Sequence, residues 1–405
     1  MRFITPYIGI LFILFFGGCE VKHDDTITAF DVSCEIIANR AKPIALHYPM
    51  EPGALNRFWH EFEQIAKDRK VKIYREDTFP TTPLFPKQVT KGKSIIVIYT
   101  GDRLIQYMQL REAIMASDTT DVEQQLALGR RFGRLLGYSP QGVNRLLSEN
   151  SHYQNLEMFE VKNQITHLYY EDLDAALTFY DSLLGLPKTD SITFNIGNDA
   201  LIRLHNISAD HPAGEPKSTA IALLTDQLSE WYAHVQEKEV PIKYTYKPRE
   251  GGPHDGFVAI DPGGYLLEFE QFKQHPENEL FMAVLADAPK IETKINGLNF
   301  YGSITWTYHK DMLQMQQFYE EVLGYQLVAD QGWTKIYQTS PTGFIGLVDE
   351  CRGMEDYADN KAVELEWTLE DFELFNTYAE QYWSEQQYDN GSFIGPEKYR
   401  YHVGK

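Results

Sequence analysis

The chain has 405 residues, of which 43% are hydrophobic and 23% are charged. This length and composition indicate a globular protein of roughly two to four domains. The 37 Lys and Arg against 58 Asp and Glu give a net charge of −21, which disfavours binding to a nucleic-acid backbone. Three cysteines exclude a disulfide-stapled scaffold and a four-cysteine zinc site, and the 13% aromatic content favours β-rich packing or an aromatic-lined cavity.

Residues 1–18 have the features of an export signal. Arg2 precedes an apolar run over 7–16, which is too short to span a bilayer comfortably. The following Phe16-Gly17-Gly18-Cys19 resembles the lipobox of bacterial lipoproteins, in which the signal is removed before a cysteine that is then lipidated. This resemblance implies lipidation of Cys19, an acidic tether over 19–30, and a location in the bacterial cell envelope, anchored to a membrane. The alternative is a plain secretory signal.

Residues 31–153 are predicted to form a small α/β domain. Short β-rich runs at 43–48, 71–74 and 94–99 alternate with helical spacing over 55–70, 104–114 and 122–136. Gly137 is a suitable residue to end the last of these helices, and Pro140 to start the next. The segment contains no phosphate-binding loop or nucleophile elbow, so we assign it no role.

The rest of the chain contains an internal duplication. An offset of 139 residues relates His167 to Trp306, Phe179 to Phe318, and Gly185 to Gly324. Each copy begins with a strand, continues with a helix that ends at Leu-Gly, and then has further strands and a second strand–helix half. A repeat of this length indicates duplicated domains and not a solenoid.

This β-α-β-β-β pattern resembles the vicinal oxygen chelate superfamily, which includes glyoxalase I, extradiol dioxygenases and bleomycin-resistance proteins. The resemblance rests on Phe179-Tyr180, on Leu184-Gly185-Leu186 and on the closing run Asp261–Phe269. It implies an α+β fold with two tandem βαβββ-type modules, at 158–272 and 298–405, joined by a linker over 273–297 and preceded by the small α/β domain. Residues 399–405 align with the strand before the closing turn, so the second module is expected to lack that turn and its last strand.

The resemblance also implies a divalent metal held by three or four His and Glu side chains. His167 and Glu268 match the first-strand and last-strand ligand positions, whereas the middle position falls on Ala220, which cannot coordinate a metal. In the second copy the corresponding positions hold Trp306 and Glu364. His254, in a loop, is a candidate substitute ligand. The set is incomplete, so no cofactor is expected, although a divalent metal held by His167 and Glu268, with Glu364 as a further candidate, stays open.

Arg203 stands where glyoxalase-type enzymes place a glutamate ligand. A guanidinium there repels a metal ion and attracts an anionic ligand, unless it forms a salt bridge with Glu268. We therefore predict a lipid-anchored protein that binds a small organic acid through Arg203, His167, Glu268 and His254, with no catalytic residue assigned and no nucleic-acid partner. The alternatives are a metal-dependent lyase or dioxygenase that uses His167 and Glu268, and a non-catalytic scaffold.

Overall fold

The computed structural model describes residues 23–85, 91–119, 121–150, 154–383 and 388–405. The chain divides into two compact units, Met1–His152 and Tyr153–Lys405. Cys19 lies outside the described residues, so its lipidation stays a prediction. In the part of the chain that the structure describes, no helix is long and apolar enough to cross a membrane.

The first unit consists of helices around a three-stranded antiparallel sheet of order β1-β3-β2. Its elements are α1 His23–Ala38, β1 Ile44–Leu46, α2 Pro52–Asp68, β2 Lys72–Glu76, β3 Ile95–Tyr99, α3 Arg103–Ala116, α4 Val122–Leu135 and α5 Pro140–Asn150. The predicted helices and strands of this region are thus confirmed, as is the left-handed conformation of Gly137 after α4, with φ of 70°.

The predicted tether is wrong from residue 23 onward, because His23–Ala38 is helix α1. Phe30, Cys34 and Ile37 recur at helical spacing on this segment, and all three are buried in the core of the first unit. This apolar face makes the segment part of the folded unit.

The first copy of the duplication supplies seven strands and two helices of the second unit. A 3₁₀ turn, Leu156–Phe159, precedes them. They are β4 Val161–Tyr170, α6 Leu173–Thr178, β5 Thr193–Asn195, β6 Ala200–Asn206, β7 Thr219–Leu224, α7 Leu228–Glu237, β8 Ile242–Tyr244, β9 His254–Ile260 and β10 Leu266–Phe272.

The second copy follows after a connecting segment. The connector over 273–297 contains a 3₁₀ turn Pro276–Asn278, helix α8 Glu279–Leu285 and the short strand β11 Ile291–Glu292, which pairs with β12 Asn299–Phe300 at the start of the second copy. The copy itself comprises β13 Gly302–His309, α9 Met312–Gln317, β14 Gln326–Asp330, β15 Thr334–Gln338, β16 Gly343–Asp349, β17 Val363–Leu369, α10 Phe372–Tyr382, β18 Ser392–Ile394 and β19 Arg400–Gly404, with a 3₁₀ turn Glu350–Arg352 after β16.

The duplication extends to the details of the first helix in each copy. Asp172 and Asp311 cap α6 and α9 by accepting hydrogen bonds from backbone amides three residues ahead. Each helix then widens into a π-helical turn, over Phe179–Leu183 and Phe318–Leu323. The chain leaves these turns through glycines at equivalent positions, Gly185 and Gly324, with φ of 65° and 84°, which favour glycine because it has no Cβ.

Strands from both copies are combined in each of the two large sheets. One is six-stranded, with order β18-β19-β17-β4-β6-β5, and the other is eight-stranded, with order β14-β15-β16-β13-β7-β10-β9-β8. The first half of one copy therefore pairs with the second half of the other. In the antiparallel pairs at the two junctions, His167 lies opposite Glu364, and Trp306 lies opposite Ala220.

The expectation that the second copy lacks its last strand is wrong. β19 pairs in parallel with β17 and antiparallel with β18, as β10 pairs with β7 and β9. The hydroxyl of Tyr399 bonds the backbone of Tyr308, just as Tyr265 bonds that of Tyr169, so the two tyrosines are equivalent. The alignment failed because the turn before Tyr399 lacks the Asp-Pro-Gly-Gly sequence that marks the first copy.

Alternation along the strands separates an apolar face from a second face in each sheet. The largest core cluster holds Leu168 and Trp367 of the six-stranded sheet, Leu267 and Phe269 of the eight-stranded sheet, and Trp231 of α7. The candidate site residues alternate with these side chains and so lie on the opposite faces.

Candidate functional site

His167 lies at the centre of a polar network on the six-stranded sheet. Its Nε2 is 2.8 Å from Oε2 of Glu366, and its Nδ1 is 2.8 Å from Nε2 of His205. Arg203 Nη1 donates to the same Glu366 oxygen at 3.0 Å, and its Nε donates to the Thr193 hydroxyl at 3.0 Å. The guanidinium is thus neutralised within the sheet, and it does not pair with Glu268.

Glu364 is the second carboxylate of this network. Its Oε2 accepts from the Tyr169 hydroxyl at 2.8 Å and lies 2.8 Å from His402 Nε2. Its Oε1 is 3.0 Å from His211 Nε2, and the other nitrogen of His211 is 2.8 Å from Glu215. We call His167, His205, His211, His402, Glu364, Glu366 and Arg203 together the histidine–glutamate network.

Burial and hydrogen bonding shift the pKa values of several residues of the network. Burial lowers the pKa of His167 despite the opposing effect of Glu366, and burial together with His167 lowers that of His205 to about 4. The pKa of His211 is raised, because hydrogen bonds to Glu364 and Glu215 outweigh burial. Hydrogen bonds from His211, His402 and Tyr169 likewise outweigh burial at Glu364 and lower its pKa. The network therefore combines the neutral imidazoles of His167 and His205 with an internal His211–Glu364 ion pair.

These residues do not fit a metal ion. The Glu366 oxygen that faces His167 is already shared with the guanidinium of Arg203, a fixed positive charge. Both ring nitrogens of His167 and of His211 are engaged by other side chains. Throughout the described residues, no three His, Cys, Asp or Glu side chains converge as a metal site requires.

Glu268 lies on the other sheet, apart from His167. In β10 it is opposite Ala222 on one side and Val258 on the other, and Ala222 is in turn opposite Ile304. Its neighbours on the adjacent strands thus have no side-chain atoms that could coordinate a metal ion. The metal-dependent alternative required His167 and Glu268 in one site, and the structure does not bring them together.

Glu268 instead lines a cavity of 590 Å³ at the edge of the eight-stranded sheet, which we call the Glu268 cavity. Basic and polar side chains of β8–β10 and of the loop over 245–253 form much of its wall. The lining residues are Lys243, Tyr244, Thr245, Lys247, Arg249, His254, Asp255, Gly256, Phe257, Val258, Glu268, Phe269, Glu270 and Met354. Its volume is within the range of small-molecule sites.

Ionisable groups on the floor of this cavity have shifted pKa values. Burial and the nearby Glu270 raise the pKa of the half-buried Glu268 to about 8. Glu270 also hydrogen-bonds His254 Nδ1 and raises the pKa of His254 to about 9. At pH 7, Glu268 is therefore mostly protonated and His254 mostly cationic. The indole N–H of Trp306 lies near enough to Glu268 to lower its pKa, although it forms no well-aligned hydrogen bond.

Two basic side chains of the cavity lining, Lys247 and Arg249, are not paired with an acidic side chain of the described residues. Lys243 is held by the Met354 carbonyl at 3.1 Å and lies 3.7 Å from Glu355. Asp255 is neutralised by Lys273 at 2.6 Å. The side chains of Lys247 and Arg249 are exposed and have no ion-pair partner among the described residues. The cavity therefore carries positive charge that is available to a ligand.

The predicted site residues thus fall into two groups. His167, Arg203 and Glu364 meet on the six-stranded sheet, while Glu268 and His254 line the Glu268 cavity. Sequence reasoning missed several members of both groups: Glu366, His205, His211, His402, Lys243 and Glu270. Glu366 and Glu270 each lie two residues beyond a predicted site residue on the same strand, so strand alternation could have found them.

Comparison with known proteins gives one family match. Residues 163–269 match the model of the Glyoxalase/Bleomycin resistance protein/Dioxygenase superfamily. Among curated proteins, sequence comparison finds no match.

Several solved structures resemble this chain at low identity. Glyoxalase I from Zea mays is 14% identical with a TM-score of 0.41, and the match covers 61% of this chain and 94% of that one. A putative dioxygenase from Bacillus subtilis is 15% identical with a TM-score of 0.39, covering 62% and 86%. Lactoylglutathione lyase from Agrobacterium tumefaciens is 22% identical with a TM-score of 0.22, covering 27% and 96%.

Proposed function

We propose that this protein binds a small organic acid in the Glu268 cavity and needs no metal to do so. The premise is that residues 163–269 belong to the glyoxalase/bleomycin resistance protein/dioxygenase superfamily. The observation that carries the proposal is the pair of exposed, unpartnered cations, Lys247 and Arg249, at a cavity large enough for a small molecule. In a chain with a net charge of −21, basic side chains gathered at one cavity favour an anion.

The two sheets differ in what they leave for a ligand. On the six-stranded sheet, Arg203 and His167 are bound to Glu366 and His205. A ligand there would have to break existing hydrogen bonds between buried groups, which is costly. In the Glu268 cavity, Lys247 and Arg249 can meet a carboxylate without losing a partner. We therefore assign ligand binding to the Glu268 cavity. We assign a structural role to the histidine–glutamate network, which holds the strands of the six-stranded sheet together.

The test is calorimetric titration of the purified chain with a six-carbon acid, hexanoate, and with its uncharged analogue hexanamide. Hexanoate should bind more tightly than hexanamide, and its affinity should fall with rising salt concentration. Arg249→Ala should weaken hexanoate binding by about tenfold. Lys238→Ala is the matched control, because Lys238 lies at the exposed end of α7, outside the cavity lining, and should have no effect. Equal affinity for hexanoate and hexanamide would refute the proposal.

Metal independence has its own test. Elemental analysis of the purified chain should find no stoichiometric divalent metal, and prior chelation should leave hexanoate affinity unchanged. About one metal ion per chain, lost on His167→Ala, would contradict this part and restore the lyase or dioxygenase alternative.

We further propose that the protein is exported and anchored to a membrane through a lipid on Cys19. The proposal rests on Phe16-Gly17-Gly18-Cys19 after an apolar run. Cys19→Ser should release the protein from the membrane fraction without detergent. Unchanged detergent-dependent association of that variant would contradict the anchor.

A further inference from the structure

The floor of the Glu268 cavity holds a carboxylate with one unused oxygen. Glu270 is 3% exposed at its side chain, and its Oε1 is bonded to His254. Its Oε2 is buried and has no hydrogen-bond partner in the described part of the chain. A buried carboxylate oxygen without a donor is costly, and a ligand within the cavity could supply the missing donor.

A second polar group lies beside it. Glu268, two residues earlier on β10, faces the same cavity. Because its pKa is raised to about 8, it is mostly protonated at pH 7 and can both donate and accept hydrogen bonds. Protonated Glu268 and Glu270 Oε2 together match the hydrogen-bonding pattern of hydroxyl groups.

The cavity therefore has a basic end and a polar, hydrogen-bonding end. Lys247 and Arg249 lie in the loop over 245–253, whereas Glu268 and Glu270 lie on strand β10 at the floor of the cavity. An acid with an apolar tail would place methylene groups against these two polar side chains and leave Glu270 Oε2 unpaired. An acid with an ammonium group would bring a second cation next to His254, which is already protonated at pH 7. Neutral hydroxyl donors avoid both penalties.

We propose that the ligand of the Glu268 cavity is a hydroxylated organic acid of the sugar-acid class, whose carboxylate meets Arg249 and Lys247 and whose far hydroxyls bond Glu270 and Glu268. This inference rests on the proposed function, since it takes acid binding in the cavity as given, and adds the chemistry of the rest of the ligand.

The experiment compares three six-carbon probes on the full chain. Gluconate carries both the acid and the hydroxyls, hexanoate carries the acid alone, and glucose carries the hydroxyls alone. Gluconate should bind at least about tenfold more tightly than hexanoate, as expected for one hydrogen bond to a charged group. Glucose should bind more weakly than gluconate, because it lacks the carboxylate.

Glu270→Gln then tests the assigned group. It should reduce the ratio of gluconate affinity to hexanoate affinity, because the effect of the lost charge on the carboxylate is common to both acids and cancels in the ratio. Glu292→Gln, at an exposed position of β11 outside the cavity lining, removes the same charge and should change neither affinity.

The outcomes separate the two levels of the proposal. If hexanoate and gluconate bind equally and both depend on Arg249, the acid site stands and the sugar-acid inference is wrong. If neither acid binds, or glucose binds as well as gluconate, the acid site itself is wrong. The wild-type comparison of probes needs no variant, so it decides between these outcomes even if Glu270→Gln fails to fold.

Discussion

At the scale of single residues, Glu268 and His254 make ligand binding depend on pH. Their pKa values of about 8 and about 9 are both raised, the first by burial and Glu270, the second by Glu270. Each group loses one proton as the pH rises through its pKa, so the cavity becomes more negative by one charge at each step. Both steps disfavour an anionic ligand.

Acid affinity should therefore decrease as the pH is raised from 7 to 9. We expect a decrease of roughly threefold to tenfold, since the added charges act across a partly solvated cavity. Titration calorimetry with gluconate at pH 7, 8 and 9 measures it. Glu268→Gln should abolish the decrease in affinity that is centred near pH 8, and it should keep the decrease that is due to His254. An affinity that stays constant over this range would contradict the assigned charges.

The sequence predicted individual residues better than their partners. The family resemblance singles out His167, Glu268 and Arg203 by their ligand positions, and each lies on the polar face of a sheet. Their grouping could not be read from the chain, because it depends on which copy supplies the neighbouring strand. Glu364 follows His167 by 197 residues along the chain, yet it is the direct neighbour of His167 across β4 and β17.

At the scale of elements, the connector between the copies has a structural role that its sequence did not suggest. It was predicted as a linker, yet its helix α8 packs on the eight-stranded sheet. Phe281 contacts Phe272 and Phe344, with ring centroids 4.7 Å and 4.9 Å away. Leu285 joins the same cluster, together with Ile304 and Trp306. A helix of seven residues has too few turns for its periodicity to be distinguished from a loop.

Removal of the Phe281 ring should destabilise the second unit. Phe281 is 0% exposed, so Phe281→Ala should lower the free energy of unfolding by about 3–5 kcal/mol through lost burial and the cavity left behind. Leu280→Ala is the matched control, since Leu280 is 53% exposed on the same helix and should cost less than about 1 kcal/mol. Urea denaturation of the two variants provides the comparison. Equal stability of the two would mean that α8 does not support the sheet.

At the scale of the whole molecule, the last strand illustrates how topology outweighs local sequence. Arg400–Gly404 lacks the turn that marks its counterpart Leu266–Phe272, yet it takes the equivalent place beside β17. The duplication predicted that such a strand should exist, while the missing Asp-Pro-Gly-Gly turn argued against it. Backbone pairing to β17 is what completes the six-stranded sheet, and it depends little on the identity of the turn residues.

The exchange of strands should make the two copies inseparable. Each sheet is joined at a junction between copies, β4 with β17 in one and β13 with β7 in the other. A fragment over 158–272 would keep the pairs β4–β6 and β7–β10 but leave one edge each of β4 and β7 unpaired, and the apolar residues of these strands are buried in the intact unit. We expect residues 154–405 to fold alone and to unfold in one cooperative transition. Residues 158–272 and 298–405 should each fail to form a folded monomer, as measured by size-exclusion chromatography and circular dichroism.

Co-expression of the two fragments, each extended through half of the connector, should restore the folded unit, because it supplies both junctions. A monomeric 158–272 fragment with a cooperative unfolding transition would contradict this prediction. A folded homodimer of that fragment would agree with it, because the first half of one fragment could pair with the second half of the other.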